Sequence, residues 1–271
     1  MVPQTLQISA EQADRIVQVA HRLADAARLE TLRLFRSPAL RPDNKASAGF
    51  DPVTEADRAS ERAMRAILEA ERPLDAILGE EYGPRSGSSG LTWVLDPIDG
   101  TRAFMAGAPS WGVLIGVTDG QGPIYGLIDQ PHLDERFEGG FGRAWLAGRG
   151  ARQSLAVRQG VELADATLMS TYPEVGTPQE HRSFRRVADR VRLVRYGLDC
   201  YAYALLAAGH VDLVIEAGLQ AYDVVAPIAL IEAAGGVVSD WQGGPAHHGG
   251  RIVAAASREL HAQALDLLNG D

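Results

Sequence analysis

The residues best equipped for chemistry lie between Trp93 and Gly107, in WVLDPIDGTRAFMAG. The apolar run Trp93-Val94-Leu95 stops at Asp96, and Pro97, Ile98, Asp99, Gly100 and Thr101 follow. This pattern predicts a short buried strand ended by a Pro/Gly turn. The turn presents two carboxylates, one hydroxyl and little bulk. Carboxylate oxygens suit hard divalent cations such as Mg²⁺. Gly100 lets the backbone approach a ligand closely, and successive N–H groups in a turn can hold an anion. Metal and phosphate could therefore meet here. The plainer alternative is an Asp-Gly turn with two solvated acids.

Other candidates are scattered along the chain, and each has a structural alternative. Asp57 closes the stretch DPVTEAD, residues 51–57. It could partner a hydroxyl or a water, or Thr54 or Asp57 could simply cap the next helix. Glu80 and Glu81 follow Gly79 at a strand end. Such a pair can ligate a metal or sit in a solvated loop. Asp223 stands at or near a helix start, where capping is the alternative. Cys200 has no local His or Lys to activate it and reads as a packed thiol. His247-His248 lies in a Gly/Pro-rich loop without a matching ligand pattern and reads as exposed. Arg182, Arg185, Arg186 and Arg190 share roughly one helix face, which reads as solvated, with a subunit contact as the alternative.

The elements that must position these groups fall into two halves, 1–150 and 151–271. Ser9 to Phe35 reads as one long helix, with Ser9 and Gln12 forming a capping-box pattern. A second helix spans Ala59 to Glu71, and a short strand spans Pro73 to Leu78. Strands at Trp111 to Val117 and Pro123 to Asp129, and a strand pair from Phe137 to Leu146 broken at Gly139-Gly140, suggest an antiparallel sheet rather than repeated βαβ units. The second half reads as strand Ala166 to Ser170, helix Glu180 to Val191, helix Ala204 to Ala208 and strand Val211 to Glu216. A helix that opens around Asp223 runs through Ala234. Two strands, at Val237 to Ser239 and Ile252 to Ala255, and a helix from Arg258 to Leu268 complete it.

Composition sets outer limits. The chain has 271 residues and is 46% apolar, enough for a sizeable core. Its net charge of -9 argues against general nucleic-acid binding. A phosphorylated substrate stays admissible, because bound cations can reverse the local sign. One cysteine excludes an internal disulfide and fits a reducing, cytoplasmic setting. The first residues lack the basic-then-apolar order of a signal peptide, and no apolar run suits a membrane span.

Taken together, DPVTEAD, GEEYG, DPIDGTRAF and AYDVVAPIALIEAAGG, in this order, resemble the motifs of the inositol monophosphatase superfamily of Mg²⁺-dependent phosphomonoesterases. The resemblance spans nearly the whole chain. It implies a layered αβαβα sandwich with an α+β first half and an α/β second half. It also implies a metal site between the halves and a homodimer. Glu80, Asp96 and the Ile98 carbonyl would hold one Mg²⁺. Asp96 would bridge to a second, also held by Asp99 and Asp223, and a weaker third would lie near Glu80. Asp57 and Thr101 would take the proton of the attacking water, with Glu80 close by. Backbone N–H groups of Gly100 and Thr101 would hold the phosphate. Such cations neutralise phosphate charge, make water more acidic and stabilise the leaving alkoxide.

Within the superfamily, GLDCYAY at 197–203, followed by GHVDLVIE at 209–216 and Tyr222-Asp223, resembles the histidinol-phosphatase branch. Asp199 and Glu216 would face the cationic amine and imidazole of histidinol. Leu198 departs from the smaller residue often found there, and leaves the fine shape of that pocket open. The expected reaction is hydrolysis of L-histidinol phosphate in histidine biosynthesis. The alternatives are an inositol or sugar-phosphate phosphatase with the same site, a nucleotide-phosphate phosphatase, and a non-catalytic metal- or phosphate-binding regulator.

Overall fold

A computed structural model describes residues 8–44 and 52–270. Asp51, the first residue of DPVTEAD, lies outside them. The chain begins with helix α1 (Ala10–Leu34), the short strands β1 (Pro42–Asn44) and β2 (Pro52–Thr54), and helix α2 (Glu55–Glu71). Strands β3 (Ala76–Gly79), β4 (Gly83–Arg85) and β5 (Thr92–Asp99) lead to the short helix α3 (Thr101–Ala106). A meander follows: β6 (Gly112–Thr118), β7 (Pro123–Gln130), β8 (Glu135–Gly140), β9 (Arg143–Gly148) and β10 (Gln153–Ser154). Then come β11 (Thr167–Ser170), α4 (Pro178–Ala188), β12 (Leu193–Tyr196), α5 (Cys200–Ala207) and β13 (Leu213–Gln220). Helix α6 (Ala221–Ala233), β14 (Val237–Asp240), β15 (Gly249–Ala255) and α7 (Arg258–Asn269) finish the fold.

The strands form two large sheets. The first has the order β10-β9-β8-β7-β6-β5-β3-β4 and is antiparallel except where β3 runs parallel to β5. The second has the order β12-β11-β13-β15-β14 and mixes parallel and antiparallel pairs. Side chains alternate across each sheet, as the two-residue strand period requires. From β6, Val113, Ile115 and Val117 join Ile16, Leu23 and Met64 of α1 and α2, while Leu114 points the other way. From β13, Leu213 and Ile215 meet Phe184 of α4 and Leu260 of α7, while Val214 faces the central layer. Helices α5 and α6 fill that layer and touch strands of both sheets. The result is an αβαβα sandwich.

Glycines let α6 sit close on the first sheet. A Cβ at Gly126 would lie 2.1 Å from the Ala226 carbonyl oxygen, and one at Gly139 would lie 2.5 Å from the Leu230 Cα. Overpacking of this kind typically costs about 1–3 kcal/mol, because backbone must move. The close approach anchors α6, and with it the residue at its first turn, Asp223.

Several boundaries differ from the sequence expectation for local reasons. Helix α2 starts at Glu55 rather than Ala59, because the Thr54 hydroxyl accepts from Ala56 N–H and caps it. Helix α4 starts at Pro178, behind the Thr177 cap and with proline in its first turn. Helix α5 starts at Cys200 rather than Ala204. Strand β5 does not stop before Pro97; it continues to Asp99 with a shift of register against β6 between Asp96 and Asp99. The capping box at Ser9 and Gln12 is present as expected.

Candidate active site

The register shift in β5 is the local device that gathers the acids. A bulge re-aims side chains that regular alternation would send to opposite faces. Asp96 and Asp99 turn toward the same point, and the Ile98 N–H donates to Asp96 Oδ1 at 3.0 Å. Asp223, in the first turn of α6, comes from the other half of the chain. It accepts from the Gln220 N–H at 2.7 Å, so Gln220 is the cap and Asp223 closes the capping box from the third helical position. One carboxylate oxygen from each of Asp96, Asp99 and Asp223 lies within 4.8 Å of the others. Among the described residues this is the only cluster of three or more such side chains. Glu80 follows β3, where its N–H donates to the Leu95 carbonyl at 3.1 Å, one residue before Asp96.

The electrostatics of this cluster are unfavourable for a protein alone. Burial, then the charges of Glu80, Asp99 and Asp223, hold the Asp96 carboxyl well above the usual carboxylate range. Burial, then Asp199 and Asp223, do the same to Asp99. Burial, with Glu80 and Glu216 adding, pushes Asp223 up to about 7 despite its bond to Gln220. Carboxylates that crowd without a basic neighbour are relieved by protons or by a cation. The donors are all hard oxygens, which matches Mg²⁺ and its relatives rather than a thiolate-seeking metal. The residues present therefore fit a divalent-cation site.

Asp57 lies in the first turn of α2, where Thr54 is the cap and Asp57 closes the capping box. Its Oδ2 accepts from the Thr54 N–H at 2.8 Å and from the Thr54 hydroxyl at 2.5 Å. Its Oδ1 faces the Thr101 hydroxyl at 3.5 Å. Thr101 Oγ1 is closer to the Ile98 carbonyl, at 3.1 Å. Burial outweighs the Thr54 bonds, and the Glu80 charge adds to it, raising Asp57 to about 6. Gly100 has a φ of +84° and caps α3 in the left-handed region that glycine tolerates. A Cβ there would stand 3.0 Å from the Asp199 carboxylate. Gly100 thus opens the turn and also makes room for Asp199.

Asp199 itself has a φ of +48°, uncommon for a residue with a side chain. The turn delivers the Cys200 N–H to Asp99 Oδ2 at 2.5 Å, which ties α5 to the acidic cluster. The Asp199 carboxylate accepts from Ser110 Oγ at 3.4 Å, and burial raises it to about 6 against the pull of Ser110 and Arg102. Glu216 is buried and occupied. It accepts from the Thr171 N–H at 2.8 Å, from the Thr171 hydroxyl, and from the Tyr203 hydroxyl at 2.9 Å. Asp99, Asp199, Glu216 and Asp223 all line one cavity of about 260 Å³.

The cavity wall also contains Tyr172 and Glu174, from the loop after β11, which the sequence did not single out. Neither carries a motif signal; only the loop geometry brings them to the site. Cys200 is buried, as a packed thiol should be. The rings of His247 and His248 lie 4.2 Å apart, outside the acidic cluster. Arg186, from the arginine-rich helix face, is engaged by the Leu267 and Leu268 carbonyls of α7.

Residues 12–270 match the sequence model of the inositol monophosphatase family. The chloroplastic bifunctional phosphatase IMPL2 of Arabidopsis thaliana is 39% identical, over 97% of this chain and 77% of that protein. A histidinol-phosphatase of Streptomyces coelicolor is 34% identical, over 93% of this chain and 96% of its own length. The structure of an inositol monophosphatase from Zymomonas mobilis superposes with a TM-score of 0.84 at 39% identity, covering 97% of this chain and all of that one, 100%. With its sandwich fold, its convergent acids and these relatives, the chain belongs to the inositol monophosphatase family of phosphatases.

Proposed function

We propose that this phosphatase hydrolyses L-histidinol phosphate to L-histidinol and phosphate. The observation that carries the reading is the presence of Asp199 in the same cavity as Asp99 and Asp223. An acid there suits a leaving group that bears an ammonium and an imidazole; a polyol would need no such charge. Glu216 shapes the same cavity through Thr171 and Tyr203, so Asp199 is the acid that meets the head group. The histidinol-phosphatase of Streptomyces coelicolor, similar over most of both chains, supports the same substrate.

In this reading Glu80, Asp96, Asp99, Asp223 and the Ile98 carbonyl would hold Mg²⁺. Bound there, it would neutralise phosphate charge and stabilise the leaving alkoxide. The chain's own groups do the rest. The N–H groups of Gly100 and Thr101, at the open start of α3, hold phosphate oxygens. The Thr101 hydroxyl orients the attacking water, and Asp57 Oδ1 receives the proton passed through it. An Asp57 carboxyl raised to about 6 is still mostly ionised at neutral pH, and close enough to it to act as a base. Asp199 binds the ammonium and so fixes the ester in line with the water.

The test is turnover of histidinol phosphate and inositol 1-phosphate side by side, with Mg²⁺. We expect kcat/KM to favour histidinol phosphate by at least about tenfold. A preference for inositol 1-phosphate would sustain a second reading, that of an inositol monophosphatase, which the Zymomonas mobilis structure at 39% identity favours. Asp199→Ala should lower kcat/KM on histidinol phosphate about 10²-fold, and on inositol 1-phosphate much less. Equal losses on both substrates would remove Asp199 from its role.

A further inference from the structure

The described residues that line the cavity include the acids Asp99, Glu174, Asp199, Glu216 and Asp223, and no lysine or arginine. All but one of these acids are already engaged. Asp99 and Asp223 belong to the acidic cluster. Glu216 is held by Thr171 and Tyr203. Asp199 accepts from Ser110 and stands beside Gly100, at the turn that carries Asp99. Glu174 is exposed, and among the described residues no hydrogen bond or ion pair engages it.

Its neighbours fix where Glu174 stands. Thr171 ties one end of the loop after β11 to Glu216. Val175 is buried in the same core cluster as Phe184 and Leu213, and Thr177 caps α4. Between these anchors Tyr172, Pro173 and Glu174 are exposed. The Tyr172 hydroxyl accepts from Arg102 Nη1 at 2.7 Å. Glu174 is thus an open carboxylate on the exposed wall of the cavity, carried by the second sheet.

The order of groups along the cavity can be set against the order along the ester. In histidinol phosphate the ammonium is next to the ester carbon, and the imidazole lies beyond it. In the cavity, Asp99 and Asp223 mark the end where phosphate would sit, Asp199 stands beside the turn, and Glu174 lies on the open side. With the ammonium at Asp199, the imidazole is the group left to meet Glu174. A ring N–H donates, a carboxylate accepts, and the charge of the acceptor strengthens the bond.

We propose that Glu174 is a specificity-determining residue: its carboxylate accepts a hydrogen bond from the imidazole N–H of the leaving group at the open side of the cavity. The identity of that ring rests on the histidinol-phosphate reading. Water screens an exposed acid, so its contribution is to affinity and is modest in size.

The experiment compares wild type, Glu174→Ala and Glu174→Gln on three esters, with Mg²⁺ present. L-Histidinol phosphate carries both the ammonium and the ring N–H. L-Phenylalaninol phosphate keeps the ammonium and a flat ring but has no ring N–H. Inositol 1-phosphate has neither the ammonium nor the ring. The readouts are kcat and KM on each, and the Ki of the two amino-alcohol esters against inositol 1-phosphate turnover. Glu174→Ala should raise the KM and Ki of histidinol phosphate about tenfold more than those of phenylalaninol phosphate, with kcat on histidinol phosphate changed less than about threefold. Glu174→Gln keeps an acceptor oxygen without the charge and should fall between wild type and Glu174→Ala. Damage to the loop would move all three esters together. Equal shifts on histidinol and phenylalaninol phosphates, or no shift on either, would overturn the proposal. The wild-type preference between histidinol phosphate and inositol 1-phosphate judges the histidinol-phosphate reading separately. If that preference goes to inositol 1-phosphate, the two Ki values still decide the role of Glu174.

Discussion

Two buried groups of acids in this molecule are treated in opposite ways. Beneath α1, Asp129 is fully buried but answered by arginine. Arg28 donates to both of its oxygens, at 3.1 and 2.8 Å, and Arg136 Nε adds a third bond at 2.7 Å. Nearby, Glu138 accepts from His21 Nε2 at 3.0 Å, Tyr125 at 2.8 Å and Arg152 at 2.6 Å. At the junction of the two sheets, Asp96, Asp99 and Asp223 crowd together, and the charges that act on Asp96 are those of other acids. The same chain thus knows how to neutralise a buried carboxylate and does not do so here. A buried charge without a partner is costly, so such a cluster persists where something from outside completes it. The contrast is the physical reason to read the junction as a cation site and the α1 network as scaffold.

Opposite signs in stability would make that contrast sharp. Asp96→Asn should lower kcat on the order of 10³-fold, because the lost carboxylate is central to the proposed cation site. In the absence of divalent cations the same variant should melt above wild type, since one repelling charge is gone. Differential scanning calorimetry with EDTA, then with Mg²⁺, reads both sides. A cation-free variant that melts lower than wild type would mean that the cluster is not under electrostatic load. Asp129→Asn should behave in reverse. It removes the buried carboxylate shared by Arg28 and Arg136, which keep only the more exposed Asp134 and Asp25, and should cost about 3 kcal/mol of stability, as for a broken buried ion pair. Its kcat per folded molecule should change little, which activity normalised to the folded fraction will check.

Thr101→Val probes the link between the turn and Asp57. The Thr101 hydroxyl stands between the Ile98 carbonyl and Asp57 Oδ1. Removing it should reduce kcat about 10²-fold with KM nearly constant, the signature of a group that acts on the proton in flight. A change confined to KM would instead make Thr101 a phosphate anchor. Because valine keeps the shape of threonine, the melting temperature should move by no more than a few degrees.

The sequence carried much of this site, for identifiable reasons. The acid beside glycine in Asp99-Gly100 marks the turn that ends β5, while Asp96 and Pro97 stay inside the buried strand. Caps were equally legible: Ser9 with Gln12, and Thr54 with Asp57, depend on neighbours three residues apart. What could not be read is long-range or irregular. Continuation of β5 through Pro97 depends on a bulge against β6, and periodicity says nothing of bulges. The engagement of Glu216 by Thr171 and Tyr203 joins three segments that only the folded second sheet brings together. Arg102 gave no decisive signal, and Tyr172 gave none, because their meaning lies in a contact across 70 residues.

The mildest test concerns the answered side of the comparison. Burial alone would raise the Glu138 carboxyl, but hydrogen bonds from His21 and Tyr125, with the charges of His21 and Arg152, bring it below its ordinary value of 4.5. A depressed folded value means that the unfolded chain binds the proton more readily. Glu138 therefore adds stability above about pH 4.5 and loses it as the pH falls through the lower folded value. Glu138→Gln cannot titrate, so the difference between wild type and variant isolates this one group. In urea unfolding, wild type should lead by on the order of 1 kcal/mol near neutral pH. The lead should shrink only on the acid side of pH 4.5. A lead that already fades between neutral pH and pH 5 would place the effect outside Glu138, elsewhere in the α1 network. The α1 network would then be a proton-sensitive element rather than a fixed scaffold, and the two groups of acids would differ less than their partners suggest.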